Sequence, residues 1–310
     1  MMKTYRILST MLQDLKIGRQ YEGFIFLAES SRNAPKQLVP HHHVELELNL
    51  VIRGNITYVV EGQRFTFSAG MLLWLYPEQE HQLVDRSPNA QNYIAVFKPS
   101  FIRRSCRTPA YAGLRCTKNE KPGVLHTMLD PDAFDLIRKT MDAVMVGSLD
   151  ADVLNRQAGF GLESADFTYQ HFDPDGLNAG LHHLLLLCWR YQRAGESLAG
   201  AVTLHPCVRR ALQMMSEADW EGSLSSLAKK CGASEAHLSR TFHRQIGVPI
   251  SRYRNSLRLA RFWEEYRQPD QKNIAEAVYA AGFGSYAQFY KVFVEAYGRS
   301  PRACLTSSQI

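Results

Sequence analysis

Two stretches, SLSSLAKKCGASEAHLSRTFHRQIG (223–247) and NIAEAVYAAGFGSYAQFYKVFVEAYG (273–298), are versions of one pattern. Leu224, Leu227, Ala228 and Gly232 fall fifty residues before Ile274, Ala277, Val278 and Gly282. After a turn one residue longer, Ser234, Leu238, Phe242, Ile246 and Gly247 fall fifty-one before Ser285, Phe289, Phe293, Tyr297 and Gly298. Each copy reads as a short helix, a turn at glycine, and a second helix opened by a serine cap. Asn273 with Glu276 and Ser285 with Gln288 have capping-box spacing.

The apolar residues of each second helix recur at i, i+4 and i+8, so one face packs inward. Ala236, Ser239, Arg240 and His243 then face outward in the first copy, and Tyr286, Ala287, Tyr290, Lys291 and Val294 in the second. This is the helix-turn-helix arrangement, whose second helix can lie in the major groove of DNA. A long helix, VPISRYRNSLRLARFWEEYRQ (248–268), joins the two units.

From His205-Pro206 to Pro301 the chain resembles the AraC/XylS family of bacterial transcription regulators. SLSSLA, Leu238-Ser239-Arg240 with Phe242, Arg258-Leu259 with Ala260, and GFGSYAQFYKVFVEAYGRSP carry the resemblance. It implies double-stranded DNA and RNA polymerase as partners, with two recognition helices in neighbouring major-groove segments. Arg240 is the leading base contact, then Lys291, with Ala236, Ser239, His243, Tyr286, Ala287 and Tyr290 beside them. Arg244, Arg252 and Arg254 read as phosphate contacts or solvated charges. Lys291 stands where the family frequently has arginine, which gives up the bidentate contact to guanine.

Charge agrees with this placement. Residues 1–200 hold 21 basic and 21 acidic side chains, whereas 201–310 hold 15 and 9 and carry the whole net charge of +6. A basic C-terminal third suits a polyanion. The six cysteines form no CxxC pair, which fits a reducing cytoplasm better than a disulfide framework. No apolar run approaches the roughly 20 residues needed to cross a bilayer, and the N-terminus does not read as a signal peptide.

The N-terminal half is written differently. GFIFLAE, VELELNLVIRG, ITYVVEG, RFTFSAG, MLLWLYP and NYIAVFK are β-rich runs separated by turn glycines at Gly54, Gly62 and Gly70. They predict an antiparallel barrel or jelly roll, and with the helices an α+β chain. His41-x-His43, then Glu47 and Gly54, resembles the first cupin motif. The second is less complete: Gly70 and Pro77 precede His81, with Glu78 where a glycine is usual.

His41, His43 and Glu47 share strand parity, and His81 comes from another strand. Three imidazoles and a carboxylate suit a divalent transition metal without choosing among them. The same residues could hydrogen-bond an effector or one another, with Tyr58, Trp74 and Tyr76 as an aromatic wall. His42 at the irregular strand entry stays a candidate, and Arg53 and Arg64 could meet a carboxylate. No nucleophile or acid–base arrangement joins these groups, so the expectation is a sensor that requires no cofactor. The alternative is a metal-dependent cupin enzyme fused to a DNA-binding domain.

Residues 99–200 read as largely helical, with Asp130-Pro131 opening a helix. Residues 147–170 give mixed signals. Leu177, Leu181, Leu184, Cys188 and Tyr191 form a heptad seam. The family resemblance implies a homodimer through such a helix and, by analogy, a carbohydrate effector. The expected division is 1–100 barrel, 101–204 helical connection with a linker at 196–204, and 205–310 DNA-binding domain.

Overall fold

Period-two alternation of side chains folds the N-terminal half into two facing sheets. A computed structural model describes residues 11–12, 15, 17–29, 40–116, 123–148, 169–194, 202–216, 222–266, 273–297 and 300–302. Strands β2 (Gly23–Glu29), β4 (Leu46–Arg53), β7 (Met71–Leu75), β9 (Gln91–Phe97) and β10 (Leu125–Met128) make one sheet, ordered β10-β7-β4-β9-β2. Strands β1 (Met11–Leu12), β3 (His41–His42), β5 (Asn55–Val60), β6 (Gln63–Ser68), β8 (His81–Arg86) and β11 (Val202–Thr203) make the other, ordered β1-β3-β8-β5-β6-β11. The β5–β6 hairpin turns on Glu61 and Gly62, at φ of 48° and 72°. Two positive φ values in a two-residue loop match the twist of the flanking strands.

Two strands come from beyond residue 100, where the barrel was expected to end. β10 pairs with β7, and Val202–Thr203, the end of the expected linker, pairs with Arg64 and Gln63 of β6. Each covers an edge whose backbone groups would otherwise need water. Most of the expected linker and of residues 147–170, together with Gly298 and Cys304, lie outside the described residues.

Helix α1 (Pro99–Ser105), a 3-10 helix (Pro109–Arg115), α2 (Pro131–Met145) and α3 (Pro174–Ala194) back the β4 sheet. Asp130 caps α2 as expected, accepting from Ala133 N at 2.8 Å. The heptad seam of α3 requires correction. Leu177, Leu181, Leu184 and Cys188 are at most 1% exposed, packed within the protomer's own core. That seam serves the barrel and α2 rather than a second copy; the face left open carries Ala179, His182, His183 and Arg190.

The C-terminal third is α4 (Pro206–Ser216), α5 (Leu224–Lys230), α6 (Glu235–Ile246), α7 (Ile250–Tyr266), α8 (Ile274–Ala280) and α9 (Tyr286–Tyr297). Gly232 and Gly282 make the two turns at φ of 68° and 80°. Ser223, Ser234, Asn273 and Ser285 each cap a helix. Asn273 and Glu276 form the complete reciprocal box. Gln288 instead returns to Gly284 N, one residue early, so the second box is half made.

Helix α7 belongs to two cores. Tyr253 and Leu257 pack with Leu238, Phe242 and Ile246, whereas Leu259, Phe262 and Trp263 pack with Phe283, Phe289 and Phe293. Leu184→Ala in α3 should lower stability by about 2–5 kcal/mol, while leaving any dependence of the melting midpoint on protein concentration the same as in the wild type. A concentration-dependent midpoint in the wild type, abolished by the substitution, would restore the seam as a contact between copies.

Candidate effector pocket and nucleic-acid interface

The histidines converge because β3 lies beside β8, with His41 directly opposite His81. Ring centroids are 4.3 Å apart for His41 and His81, and 5.1 Å for His43 and His81. Ligand nitrogens of His41, His43 and His81 all lie within 4.8 Å of one another. Glu47 joins them: its Oε2 is 3.2 Å from His43 Nε2 and 3.8 Å from His81 Nε2. All four residues are buried.

The surroundings set the protonation of the cluster. The backbone carbonyl of Gln79 takes His81 Nδ1 at 2.8 Å, which directs the ring's other nitrogen inward. That Nε2 is buried without a hydrogen-bond partner among the described residues. Burial, reinforced by repulsion from His41, pushes the His81 pKa down to about 3, so the imidazole stays neutral. Burial alone would raise the Glu47 carboxyl. Hydrogen bonding from His43, the imidazoles around it and Asn49 outweigh that and bring it down to about 2.

A neutral His81 and an ionised Glu47 carboxylate are the states that metal binding needs. The carbonyls of Glu45 and Gln79, against Nδ1 of His43 and His81, are the outer partners that orient such ligands. The donor set therefore fits a divalent transition metal. It equally offers a polar effector several fixed hydrogen-bonding groups.

Tyr58 reaches this cluster, its ring 6.4 Å from that of His81. Trp74 does not. It pairs with Leu48, on the opposite face from Glu47, and meets Trp189 of α3 edge-on at 5.7 Å. Trp74 therefore belongs to the layer between sheet and helices, by strand parity. His42 is half-buried and outside the converging set, and Arg53 is exposed.

Three pocket residues escaped the sequence reading. Asn49 donates to Glu47 Oε1 at 2.7 Å, and Asn92 donates to Asn49 Oδ1 at 2.9 Å, extending the polar network across β4 and β9. Asn49 shares the parity of Glu47, a signal that was available. His126 lies opposite Leu73 with its ring 5.6 Å from Phe67. It sits on β10, in a segment read as helical.

The outer face of the same strands meets the first helix-turn-helix. Val59 and Val84 share a core with Val208, Ile246 and Tyr253, and Tyr253 Oη donates to Gln82 Oε1 at 2.9 Å. The pairing of β5 with β8 slips between Thr57 and Tyr58, so that Leu83 and Asp85 find partners and Val84 is the extra residue. Such a bulge re-aims side chains. Here Val84 and Asp85 both turn outward, and Gly247 packs against Asp85 at φ 89°.

On α6, Ala236, Arg240, His243 and Arg244 are exposed and Ser239 half-buried, while Leu238, Phe242 and Ile246 are buried. Arg240 Nε donates to Ala236 O of its own helix at 3.3 Å. On α9, Tyr286, Ala287, Tyr290 and Lys291 are exposed over buried Phe289 and Phe293. Tyr286 and Tyr290 are 42% and 45% exposed. Arg254 differs from its neighbours: it is half-buried and donates to Gly222 O at 2.6 Å, a structural tie.

A family model described as AraC-like ligand binding domain matches residues 29–140, and one described as Helix-turn-helix domain matches 227–307. Together they cover more than half of the 310 residues, and the chain belongs to the AraC family of DNA-binding transcription regulators with an N-terminal ligand-binding domain. Among solved structures it is similar to an apo variant of ToxT from Vibrio cholerae, at 12% identity over 92% of this chain and 97% of that one, TM-score 0.34. It is similar to ToxT with bound unsaturated fatty acid, at 13% identity over 90% and 93%, TM-score 0.31. The AraC-like transcriptional activator CuxR is 10% identical over 86% and 83%, TM-score 0.31. A search of curated proteins returned no match. No described helix is long and apolar enough to cross a membrane.

The departure at Glu78 has a measurable cost. Gln79 N bonds Tyr76 O across Pro77 and Glu78, and Glu78 takes φ of 61°, the position where such a turn favours glycine. Glu78→Gly should stabilise the protein by up to about 1 kcal/mol, read as a raised melting temperature with operator binding unchanged.

Proposed function

We propose that this regulator binds a polar small molecule among His41, His43, Glu47, Tyr58 and His81, and reads its operator with α6 and α9. The supporting observation is that β5 and β8 have two working faces. His81 and Tyr58 point inward, while their neighbours Gln82, Val59 and Val84 pack against α4, α6 and α7. An effector that shifts β8 by a fraction of an ångström moves the surface on which the first helix-turn-helix rests. Reciprocity requires that operator DNA alter effector affinity by the same factor.

In this reading the barrel binds rather than catalyses, and the protein is a cytoplasmic homodimer that acts at promoters with RNA polymerase. The second copy meets a face other than the buried seam of α3. The hydroxyls of a carbohydrate would suit the mixed donors and acceptors of His81, Glu47, Asn49 and Asn92. A second reading, in which a divalent metal is itself the bound species, is favoured by His81 Nε2 facing the Glu47 carboxylate. Metal analysis of the purified protein separates the two.

DNA contacts fall to Ala236, Ser239, Arg240, His243 and Arg244 on α6 and to Tyr286, Ala287, Tyr290 and Lys291 on α9. Binding to the protein's own upstream DNA, measured by fluorescence anisotropy at two salt concentrations, should be selective. Arg240→Ala and Lys291→Ala should each weaken it about tenfold or more relative to unrelated DNA. Salt-sensitive binding indifferent to sequence would reduce the domain to an electrostatic platform. Tyr253→Phe, which takes the donor from Gln82 Oε1, should cost about 1–3 kcal/mol of stability. It should also diminish the change in operator affinity caused by sugars whose stabilising effect is lost in His81→Ala. Undiminished coupling in Tyr253→Phe would remove the β8 route.

A further inference from the structure

A second set of metal-binding side chains lies outside the barrel, where the chain leaves β11 for the first helix-turn-helix. His205 and Cys207 flank Pro206 at the start of α4, and His237 stands in the first turn of α6. A ring nitrogen of each histidine and Cys207 Sγ all lie within 4.8 Å of one another. His205 Nδ1 is 3.0 Å from Cys207 Sγ, and the two imidazole rings are 5.4 Å apart at 71°.

The backbone holds these donors in place. His205 N donates to Gln245 Oε1 at 2.8 Å, and His237 N donates to the cap Ser234 Oγ at 3.2 Å. Cys207 is buried in the first core, whereas both histidines are exposed, so an ion has a route in from solvent. One thiolate and two imidazoles form a softer set than the three imidazoles and carboxylate of the barrel. Three protein ligands with a fourth position for water are a familiar tetrahedral zinc arrangement.

We propose that His205, Cys207 and His237 bind Zn²⁺ or a similar borderline divalent ion, pinning the start of α4 to the recognition helix α6. Binding would release the proton of the Cys207 thiol to solvent and leave the thiolate as the ligand. The bound ion would fix the first recognition helix to the segment that arrives from the barrel. The site uses none of the barrel residues, so it stands or falls independently of the effector pocket.

The test uses the full chain, purified under reducing conditions, stripped with chelator and titrated with Co²⁺. A near-ultraviolet thiolate-to-cobalt charge-transfer band should grow to one equivalent and be displaced by Zn²⁺. The barrel set contains no thiol, so His81→Ala should retain the band. Cys207→Ser should lose it while keeping the wild-type circular dichroism. His205→Ala and His237→Ala should each weaken Co²⁺ binding about tenfold or more. In His81→Ala protein, Zn²⁺ should still raise the melting temperature. Absence of the band in the wild type, its survival in Cys207→Ser, or unchanged Co²⁺ affinity in both histidine variants would overturn the proposal.

Discussion

The structure depends on β5 and β8 being buried on both sides. In most antiparallel sheets one face meets the core and the other meets water. Here the inner face of β8 carries His81 and Leu83, and the outer face carries Gln82 and Val84 against the helix-turn-helix. The fully buried hydrogen bond from Tyr253 to Gln82 would be costly to leave half made. The bulge at Val84 gives up one regular pairing and in exchange presents two successive residues to the helices. A domain that would otherwise be tethered only through its linker is thereby seated on a surface.

The polar interior of the barrel is the counterpart of that seat. Burying His41, His43, His81, Glu47, Asn49 and Asn92 together is unfavourable unless the groups satisfy each other or a ligand satisfies them. Glu47 is the hub, meeting His43 on one oxygen and Asn49 on the other. A neutral His81 whose buried nitrogen is unbonded among the described residues leaves the network one partner short there, which is where a ligand gains most.

Much of this was legible in the sequence. The repeat at 223–247 and 273–298 identified both helix-turn-helix units down to their caps, because helical periodicity and glycine turns are local signals. Strand parity brought His41, His43 and Glu47 together for the same reason. Trp74 was misplaced because aromatic residues in a strand buried on both faces give no alternation from which to choose a side. The α3 seam misled because a heptad pattern records an apolar stripe and not whose surface covers it. β10, β11 and His126 were missed because short strands that close an open edge are specified by the edge, many residues away.

Helix α7 has a consequence for the DNA. Its 17 residues make a rod about 25 Å long, anchored at one end by Tyr253 and Leu257 and at the other by Phe262 and Trp263. With α6 and α9 as the proposed reading heads, the two are set on a caliper with little play. Each base pair added between their subsites turns the second one away by about 35° around the duplex axis. The spelling of either subsite can drift, but the number of base pairs between them cannot.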